Sequence, residues 1–397
     1  MRPINIRRAY LLNEDLSITD SPRNKKMTMN TDTPKQTPSD SADRLSPANL
    51  ILRFAVIGVI MAGIAGLFAY LGGWLTPHKL TPAAIADRFQ QLDGVHPGFR
   101  RAHAKGVDIS GYFTSNDQGI ALCKAAIFQP GRVSVIGRFS LAVTQPYVAD
   151  ADPIPRGLAI CFTSPNGEEW RTAMLSLPVF VAGTPKAFYD FQLARAPDKA
   201  TGKPDPDKFK AFLANYPESA KALQLIQGQP ISSGFANSTF NSLNAFGFTN
   251  AAGEVAWVRW SLVPVQPFEP ANPTDSGQAD KNRLFDALIA ALHAHPLEWH
   301  LIITLAQPGD PTDDATLPWP PDRRKVDVGT LTIDKIESDD TSPARDMNFD
   351  PLTLPNGITP SNDPLLSARS AVYSTSFTRR EGEHKEPSAV SAAETGK

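Results

Sequence analysis

The residues of this chain best suited to chemistry are an arginine and a tyrosine late in the sequence and a histidine early in it. Arg369 and Tyr373 are four positions apart, a spacing that puts two side chains on one face of a helix. A phenol ionises near pH 10, so a tyrosinate at neutral pH needs a close cation. Tyrosinate is one of the few protein ligands that bind haem iron. His103, which follows Arg100 and Arg101, supplies an acid–base group for the open side of such an iron.

The residues before Arg369 and Tyr373 have the pattern of a helix N-terminus. Asp363 is a residue type that caps helices, and Pro364 suits the first helical position, where no backbone donor is needed. A helix beginning at Pro364 would present Arg369 and Tyr373 on one face. The alternative is an ordinary amphipathic helix with a packed tyrosine.

Composition excludes several classes of protein. The chain has 397 residues, a formal net charge of −2 and 36 prolines. The near-neutral charge gives no indication of nucleic-acid binding, and the prolines favour long irregular connections over a helical bundle. Two cysteines, Cys123 and Cys161, provide neither a disulfide scaffold nor a metal cluster. We expect free buried thiols, with a single disulfide between them as the open alternative.

An apolar run near the N-terminus predicts a membrane anchor. Residues 54–75 contain no charged side chain, and about 22 residues suffice for a helix to cross a hydrocarbon core of about 30 Å. Nine lysines and arginines precede this run, offset by fewer acids, so the positive-inside rule places the N-terminus in the cytoplasm. We predict a single pass through a bacterial inner membrane, with the main domain in the periplasm. A cleaved signal peptide is the alternative, although the run is longer than an ordinary signal-peptide core.

These features divide the chain into four parts. Residues 1–46 are polar and unpatterned, which predicts a disordered cytoplasmic tail. Residues 47–76 form the predicted transmembrane anchor, and residues 77–380 form the predicted folded domain. Residues 381–397 are charged and without pattern, which predicts a flexible C-terminal tail.

The main domain is predicted to be α+β, with an antiparallel β-barrel core surrounded by helices. Apolar or alternating runs bounded by turn residues predict strands at 133–142, 157–162 and 169–174, in the block from 235 to 262, and at 299–305 and 328–333. Helical periodicity predicts helices at 82–92, 186–196, 206–226 and 282–293, the first capped by Thr81. Many antiparallel strands with inserted helices suit a closed barrel that carries helices outside it.

Taken in order, the segment from His96 to Arg380 resembles the catalase superfamily, and is most similar to the short catalase-related haem peroxidases. The matching segments are 96–106 (HPGFRRAHAKG), 135–141 (VIGRFSL), 155–159 (PRGLA), 178–180 (PVF) and the stretch from 349 to 363, which leads into Arg369 and Tyr373. The resemblance implies a haem b protein that reacts with hydroperoxides.

The resemblance also implies roles for the residues on both sides of the haem. Tyr373 would be the axial ligand of the iron, and Arg369 the cation that keeps its phenolate charged. His103 would be the acid–base residue that moves a proton between the two peroxide oxygens. Ser140 would hydrogen-bond the other ring nitrogen of His103 and orient the ring.

The remaining pocket residues follow from the same resemblance. Arg100 and Arg138 match arginines that bind the haem propionates, a contact for which the planar guanidinium is suited. Phe180 and Phe188 match aromatic residues beside the haem and its access channel. Plain core packing is the alternative for both phenylalanines.

The chain departs from the catalases at the distal asparagine, whose position falls at Leu175. Leucine cannot donate a hydrogen bond to peroxide, and the neighbouring Ser176 should point to the other face of the strand. We therefore predict weak catalase turnover, with the oxidised enzyme reduced by an external electron donor.

Three functions compete on this sequence. The first is a membrane-anchored haem peroxidase that acts on hydrogen peroxide or organic hydroperoxides with a small-molecule electron donor. The second is a hydroperoxide isomerase or dehydratase of the allene-oxide-synthase type, for which an apolar wall containing Leu175 would suit a lipid substrate. The third is a non-enzymatic haem-binding or peroxide-sensing module. No nucleic-acid partner is expected, and the sequence leaves the oligomeric state open.

Overall fold

The computed structural model describes residues 46–72, 74–75, 80–198, 201–272 and 281–392. The chain divides into two compact units, Met1–Leu67 and Phe68–Lys397. The predicted disordered tail, apart from residue 46, lies outside the described residues, as do residues 393–397 of the predicted C-terminal tail.

The apolar run forms one long helix, α1, over Pro47–Leu71. None of its 25 residues is buried, so its large apolar side chains face outward along its whole length. By length and composition this helix could cross a membrane, a test that a signal sequence near the N-terminus also passes.

The second unit is built on a closed antiparallel barrel. The described residues of this unit form ten strands: β1 Gly106–Ser115, β2 Arg132–Leu141, β3 Arg156–Thr163, β4 Glu169–Leu175, β5 Phe240–Asn241, β6 Phe246–Thr249, β7 Val255–Pro264, β8 Leu297–Leu305, β9 Lys325–Glu337 and β10 Ile358–Pro360. Eight of them close a ring in the order β1-β2-β3-β4-β5-β7-β8-β9, and β6 and β10 extend the sheet from β7. The predicted α+β class with an antiparallel barrel is confirmed.

Alternation along the strands separates the barrel core from its outer surface. Phe139, Leu158 and Met174 are neighbours on β2, β3 and β4, and all three are buried in the barrel interior. Trp170 and Trp260 fill the same interior, with ring centroids 4.9 Å apart. The residues between them along each strand therefore project outward, which is where the candidate site lies.

In the part of the second unit that the structure describes, the α-helices that belong wholly to it are α2 Pro82–Asp93, α3 Pro185–Ala194, α4 Pro206–Asn215, α5 Pro217–Gln227, α6 Arg283–Ala294 and α7 Pro364–Glu381. The predicted N-cap of α2 is present, because Thr81 Oγ1 accepts a hydrogen bond from Ala84 N at 3.1 Å. The single helix predicted over 206–226 is two helices. Pro217 has no backbone donor and cannot continue α4, so it begins α5 instead.

The last described segment packs on this unit. Glu383 forms a salt bridge with Arg101, and Val390 is fully buried in the core cluster. Residues 382–392 are thus held by specific contacts, in a region whose composition predicts a flexible tail. Cys123 and Cys161 are both buried and free, as expected.

Candidate functional site

A cavity of about 730 Å³ lies between the outer face of β2, β3 and β4 and one face of α7. Helices α2 and α3 line its far side. All the residues predicted from the sequence as site residues line this one cavity: Arg100, His103, Arg138, Ser140, Phe180, Arg369 and Tyr373. They come from positions up to 273 residues apart in sequence, and the barrel and α7 bring them together.

One wall of the cavity is a row of residues that runs across the barrel strands. Ser140 on β2 is the register partner of Gly157 on β3, and Gly157 is the partner of Leu175 on β4. Register partners in an antiparallel sheet project to the same face. Ser140, Gly157 and Leu175 therefore form one outward-facing row beside His103.

His103 is held by its ring and by its backbone. Its Nδ1 lies 3.0 Å from Ser140 Oγ, which is the predicted orienting hydrogen bond. Its φ of 59° is in the left-handed region, which residues other than glycine seldom adopt. Burial, followed by the charges of Arg138 and Arg369, lowers the pKa of His103 to about 3. The imidazole is therefore neutral at physiological pH and able to accept a proton.

Gly157 makes room for this histidine. A Cβ at position 157 would lie 2.9 Å from Ser140 Oγ and 3.0 Å from both Cε1 and Nδ1 of His103. Contacts this short are below ordinary van der Waals separation. The absence of a side chain at Gly157 thus permits the pairing of His103 with Ser140.

The wall beside His103 is apolar at the position predicted to be so. Leu175 and Leu177 line the cavity. Ser176 does not, because its hydroxyl accepts a hydrogen bond from Arg156 N at 3.0 Å on the other side of the strand. Neither Leu175 nor Ser176 supplies a donor to the space in front of the histidine.

The opposite wall of the cavity is one face of α7. Asp363 caps this helix, with its Oδ1 accepting from Leu365 N at 2.9 Å, and Pro364 occupies the first position. Arg369, Tyr373 and Arg380 then follow at spacings of four and seven residues, and all line the cavity. Tyr373 also packs against the small cluster that contains Phe349.

Arg369 is fixed by groups other than the phenol of Tyr373. It donates through Nη1 to Asn244 Oδ1 and through Nη2 to the carbonyl of Ala173 at 2.9 Å. Asn244 in turn donates to Asp363 Oδ2 at 2.7 Å. A buried chain of polar groups thus links the N-cap of α7 to Arg369, one turn before Tyr373.

A second group of cations lies toward the C-terminal end of α7. Arg100 donates to the carbonyls of Ala344 and Met347, at 2.8 and 3.2 Å. Arg380 is 2 % exposed, and its Nε and Nη1 have no hydrogen-bond partner in the part of the chain that the structure describes. Burial, followed by the positive charge of Arg380, lowers the pKa of Arg100 well below its ordinary value. Buried and mutually repelling cations of this kind favour an anionic ligand.

Arg138 lines the cavity but is bound mainly by the protein. Its Nε and Nη2 donate to the two carboxylate oxygens of Asp339, at 2.9 and 2.7 Å. Its Nη1 donates to the carbonyl oxygen of His103 at 2.7 Å. The structure therefore places this arginine against the backbone of the histidine.

Gly157, Asn244 and Arg380 also contribute to the site, and the sequence patterns that predict the other site residues do not single them out. Arg380 could have been predicted, because it is seven residues after Tyr373 and so falls on the same face of α7. No local sequence pattern identifies Gly157 and Asn244, because their roles depend on contacts with residues that are distant in the sequence.

Comparisons with known proteins agree with this geometry. The Catalase family profile matches residues 77–394. A catalase-related peroxidase from Synechococcus elongatus is 38 % identical over 302 residues, which cover 76 % of this chain and 89 % of that protein. A catalase-related peroxidase from Mycolicibacterium paratuberculosis is 31 % identical over 304 residues, which cover 76 % of this chain and 96 % of that protein.

Solved structures show the same fold. A fungal catalase superposes with a TM-score of 0.66 at 22 % sequence identity, over 72 % of this chain. The chain spans 60 % of the length of that catalase. The predicted resemblance to the catalase-related peroxidases is confirmed, and the chain belongs to the catalase family.

Proposed function

We propose that this enzyme of the catalase family is a haem peroxidase, which reduces hydrogen peroxide or organic hydroperoxides with electrons from an external donor. The observation that carries the proposal is the convergence of Tyr373 on one wall of the cavity with His103 and Ser140 on the other. The family relationship supports reaction with peroxide, and the following residues support the cofactor, here taken to be haem b.

The cavity has the features that a haem requires. Ala159 and Ala173 are register partners of Arg138 on the outer face of the barrel, so small side chains form a flat wall opposite α7. The unpartnered Nε and Nη1 of Arg380 are buried donors suited to a carboxylate. A planar group with acidic substituents therefore fits between these walls.

Particular residues would hold the haem. The Tyr373 oxygen would bind the iron, and Arg369 would supply the positive charge that favours its ionised form. Arg100 and Arg380 would bind the propionates, with Arg138 beside them. Phe180 and Phe188 line the cavity, with ring centroids 5.3 Å apart, and would lie beside the haem and its channel. Haem bound here would supply the redox centre that takes up the oxidising equivalents of the peroxide.

His103 would move the proton. Reduction of a hydroperoxide to an alcohol and water consumes two electrons and two protons, and one proton must pass between the two peroxide oxygens. If His103 Nδ1–H donates to Ser140 Oγ, Nε2 is the basic nitrogen that can take this proton and return it to the leaving oxygen. The lowered pKa of His103 keeps this nitrogen unprotonated before peroxide arrives.

The electron donor would be external because two of the residues that line the cavity beside His103, Leu175 and Leu177, are apolar. Disproportionation of peroxide requires the site to bind and orient a second peroxide molecule as a reductant. Leu175 and Leu177 offer no hydrogen bond for this purpose. We therefore expect a small-molecule reductant and weak catalase turnover at most.

The apolar wall also favours a second candidate function, hydroperoxide isomerisation or dehydration. The cavity continues along Phe89, Phe188 and Phe191, which would accept an acyl chain. The two candidate functions differ in whether they require a reductant. A peroxidase consumes fatty-acid hydroperoxide only with a reductant present, whereas an isomerase consumes it without one.

The proposed location is a bacterial inner membrane, with the N-terminus in the cytoplasm and the haem domain in the periplasm. The exposed apolar helix α1 and the basic residues before it support this. Recovery of the full-length enzyme in washed membranes, with its main domain cleaved by protease added to spheroplasts, is the expected result. A soluble periplasmic enzyme lacking residues 47–71 would overturn the anchor.

The first test of the proposal is the absorption spectrum of the full-length enzyme, with Tyr373→Phe beside it. We expect a high-spin ferric haem spectrum in the wild type that is lost or strongly shifted in the variant. Tyr189→Phe, in α3 but outside the cavity lining, is the matched control and should keep the wild-type spectrum. Full peroxidase activity in Tyr373→Phe would contradict the proposed ligand, and a wild type without haem would overturn the function.

A further inference from the structure

Two buried aspartates behind the cavity have no role in the chemistry described above. Asp108 on β1 is fully buried, and Asp339, two residues beyond β9, is 3 % exposed. Asp108 is the register partner of Arg138 on β2. Carboxyl groups are seldom buried to this degree without a specific partner, and here both face the same guanidinium.

The contacts of Arg138 run from these carboxyl groups to the backbone of the histidine. On one side it makes the two-pronged ion pair with Asp339, and its Nε lies 3.5 Å from Asp108 Oδ1. On the other side Nη1 and Nη2 donate to the carbonyls of His103 and Ala104, at 2.7 and 3.1 Å. One guanidinium therefore joins a carboxyl pair to two consecutive peptide groups.

Those two peptide groups need such a partner. β1 begins at Gly106, so the carbonyls of His103 and Ala104 lie before the strand ladder. His103 has a φ of 59°, which other residues seldom maintain without restraint from their surroundings. Gly106 leaves space for the restraint, because a Cβ there would lie 2.4 Å from Arg138 Cζ.

We propose that Asp339 and Asp108 are positioning residues for the acid–base histidine, acting through Arg138 on the backbone at positions 103 and 104. The inference rests on the proposed function of His103. It assigns Arg138 chiefly to the polypeptide, and leaves Arg100 and Arg380 as the main partners of a cofactor carboxylate.

The charges of the cluster agree with this arrangement. Burial and the charge of Asp339 raise the pKa of Asp108 to about 8, so Asp108 is mostly neutral at pH 7. Burial alone would raise the pKa of Asp339, but Arg138 outweighs it and lowers that pKa to about 2. One carboxylate thus faces Arg138 at neutral pH. Above pH 8, ionised Asp108 would compete with Asp339 for the guanidinium.

Other charged groups surround the pair, and none of them replaces Asp339 on Arg138. They include Arg100 before β1, Arg380 on α7 and the exposed Glu337 on β9. The 3-10 helix Pro343–Asp346 adds Arg345, which pairs with Asp340, and Asp346, which pairs with Lys385. Arg100 and Arg380 add positive charge to the cluster, and Glu337 is the register partner of Asp108 at the solvent-facing edge of the cluster.

The test compares Asp339→Asn and Asp339→Glu with the wild-type full-length enzyme. For Asp339→Asn we expect the rate constant for peroxide to fall about 10- to 100-fold, because displacement of a catalytic group by about 1 Å costs about 100-fold. The KM for the donor and the haem content should not change. Asp339→Glu keeps the charge and should show a smaller loss in the same direction. Asp334→Asn, an exposed site on β9, is the matched control.

Hydrogen–deuterium exchange of residues 100–106 supplies a readout that does not depend on turnover. The amide of Ala104 donates to Val143 O at 2.9 Å, and its exchange should accelerate in Asp339→Asn. This measurement decides the inference even if the wild type proves not to be a peroxidase. Unchanged exchange, or a rate constant for peroxide within twofold of wild type, would overturn it. If Asp339→Asn loses haem in the same proportion as activity, Arg138 acts mainly by binding the cofactor, and the inference is overturned.

Asp108→Asn tests the second carboxyl group by its pH dependence. Because burial and the charge of Asp339 raise the pKa of Asp108, the wild type should lose activity on the alkaline side, where Asp108 ionises and competes with Asp339 for Arg138. Asp108→Asn cannot ionise, so this alkaline limb should disappear from the pH profile of the rate constant for peroxide. An identical limb in the variant would exclude Asp108 from the positioning cluster.

Discussion

Substitution of Gly157 by alanine would place a methyl group between the two residues that form the distal hydrogen bond. The added Cβ would lie 2.9 Å from Ser140 Oγ and 3.0 Å from two atoms of the His103 ring. Ordinary contacts between such atoms are about 3.5–4.0 Å. The ring or the hydroxyl must therefore retreat by about 0.5–1 Å, because Gly157 is held in β3 between two paired strands.

A displacement of this size is large for a group that transfers a proton. Misplacement by about 1 Å costs about 100-fold in rate, so we expect the rate constant for peroxide to fall about 10- to 100-fold in Gly157→Ala. The haem spectrum and the KM for the electron donor should stay close to wild type. The substitution leaves the sequence of α7 unchanged, and the three atoms nearest to the added methyl group belong to Ser140 and His103.

The assay is single-turnover mixing of the ferric enzyme with limiting peroxide, followed by absorbance. Gly234→Ala is the matched control, because a Cβ at Gly234 meets no atom within 4 Å. A Gly157→Ala enzyme that reacts with peroxide within twofold of wild type would refute the reasoning. Equal losses in both variants would point to general destabilisation instead.

Three further predictions concern separate walls of the cavity. Leu175→Asn would place an amide in the row beside His103 and should raise oxygen release from hydrogen peroxide about tenfold; the same change at Ser176, which faces away, should not. Because the pKa of His103 is lowered to about 3, its imidazole stays neutral as the pH falls, and the rate constant for peroxide should show no acid limb near pH 6.5. A limb at that pH which disappears in His103→Gln would contradict this. Arg380→Gln should weaken haem binding about 10- to 100-fold in a titration of the cofactor-free protein, because a hydrogen bond to a charged group contributes about 1.5–3 kcal/mol. Unchanged haem affinity would show that Arg380 does not bind a propionate.

The parts of the site that sequence alone predicts are those specified by local pattern. Asp363 and Pro364 define the start of α7, so the shared face of Arg369 and Tyr373 follows from helical spacing. The alternation of a strand likewise predicts that Leu175 and Ser176 face opposite ways, as they do.

The parts that sequence does not predict depend on contacts between distant segments. Arg138 and Asp339 are 201 residues apart, and Asn244 and Asp363 are 119 apart. A charged residue such as Asp108 within a strand is normally interpreted as facing solvent, and its burial emerges only when β1 pairs with β2 and β9.

Charge and lack of periodicity predict flexibility after Arg380. The salt bridge of Glu383 with Arg101 leaves no periodic pattern in the sequence, so this contact could not be predicted. The break between α4 and α5 is different, because Pro217 marks it in the sequence and could have been used to predict it.

Because side chains of the barrel strands alternate between the cavity face and the barrel interior, a change of one residue in strand length moves every following side chain to the other face. Gly157 faces the cavity and Leu158, the next residue, fills the barrel. Deletion of one residue upstream in β3 would exchange the two, putting a leucine against His103 and leaving a void inside the barrel. A single lost codon in this strand would thus remove stability and catalysis together. The turn at 164–168 could change length without altering either face, so length variation among relatives should concentrate there.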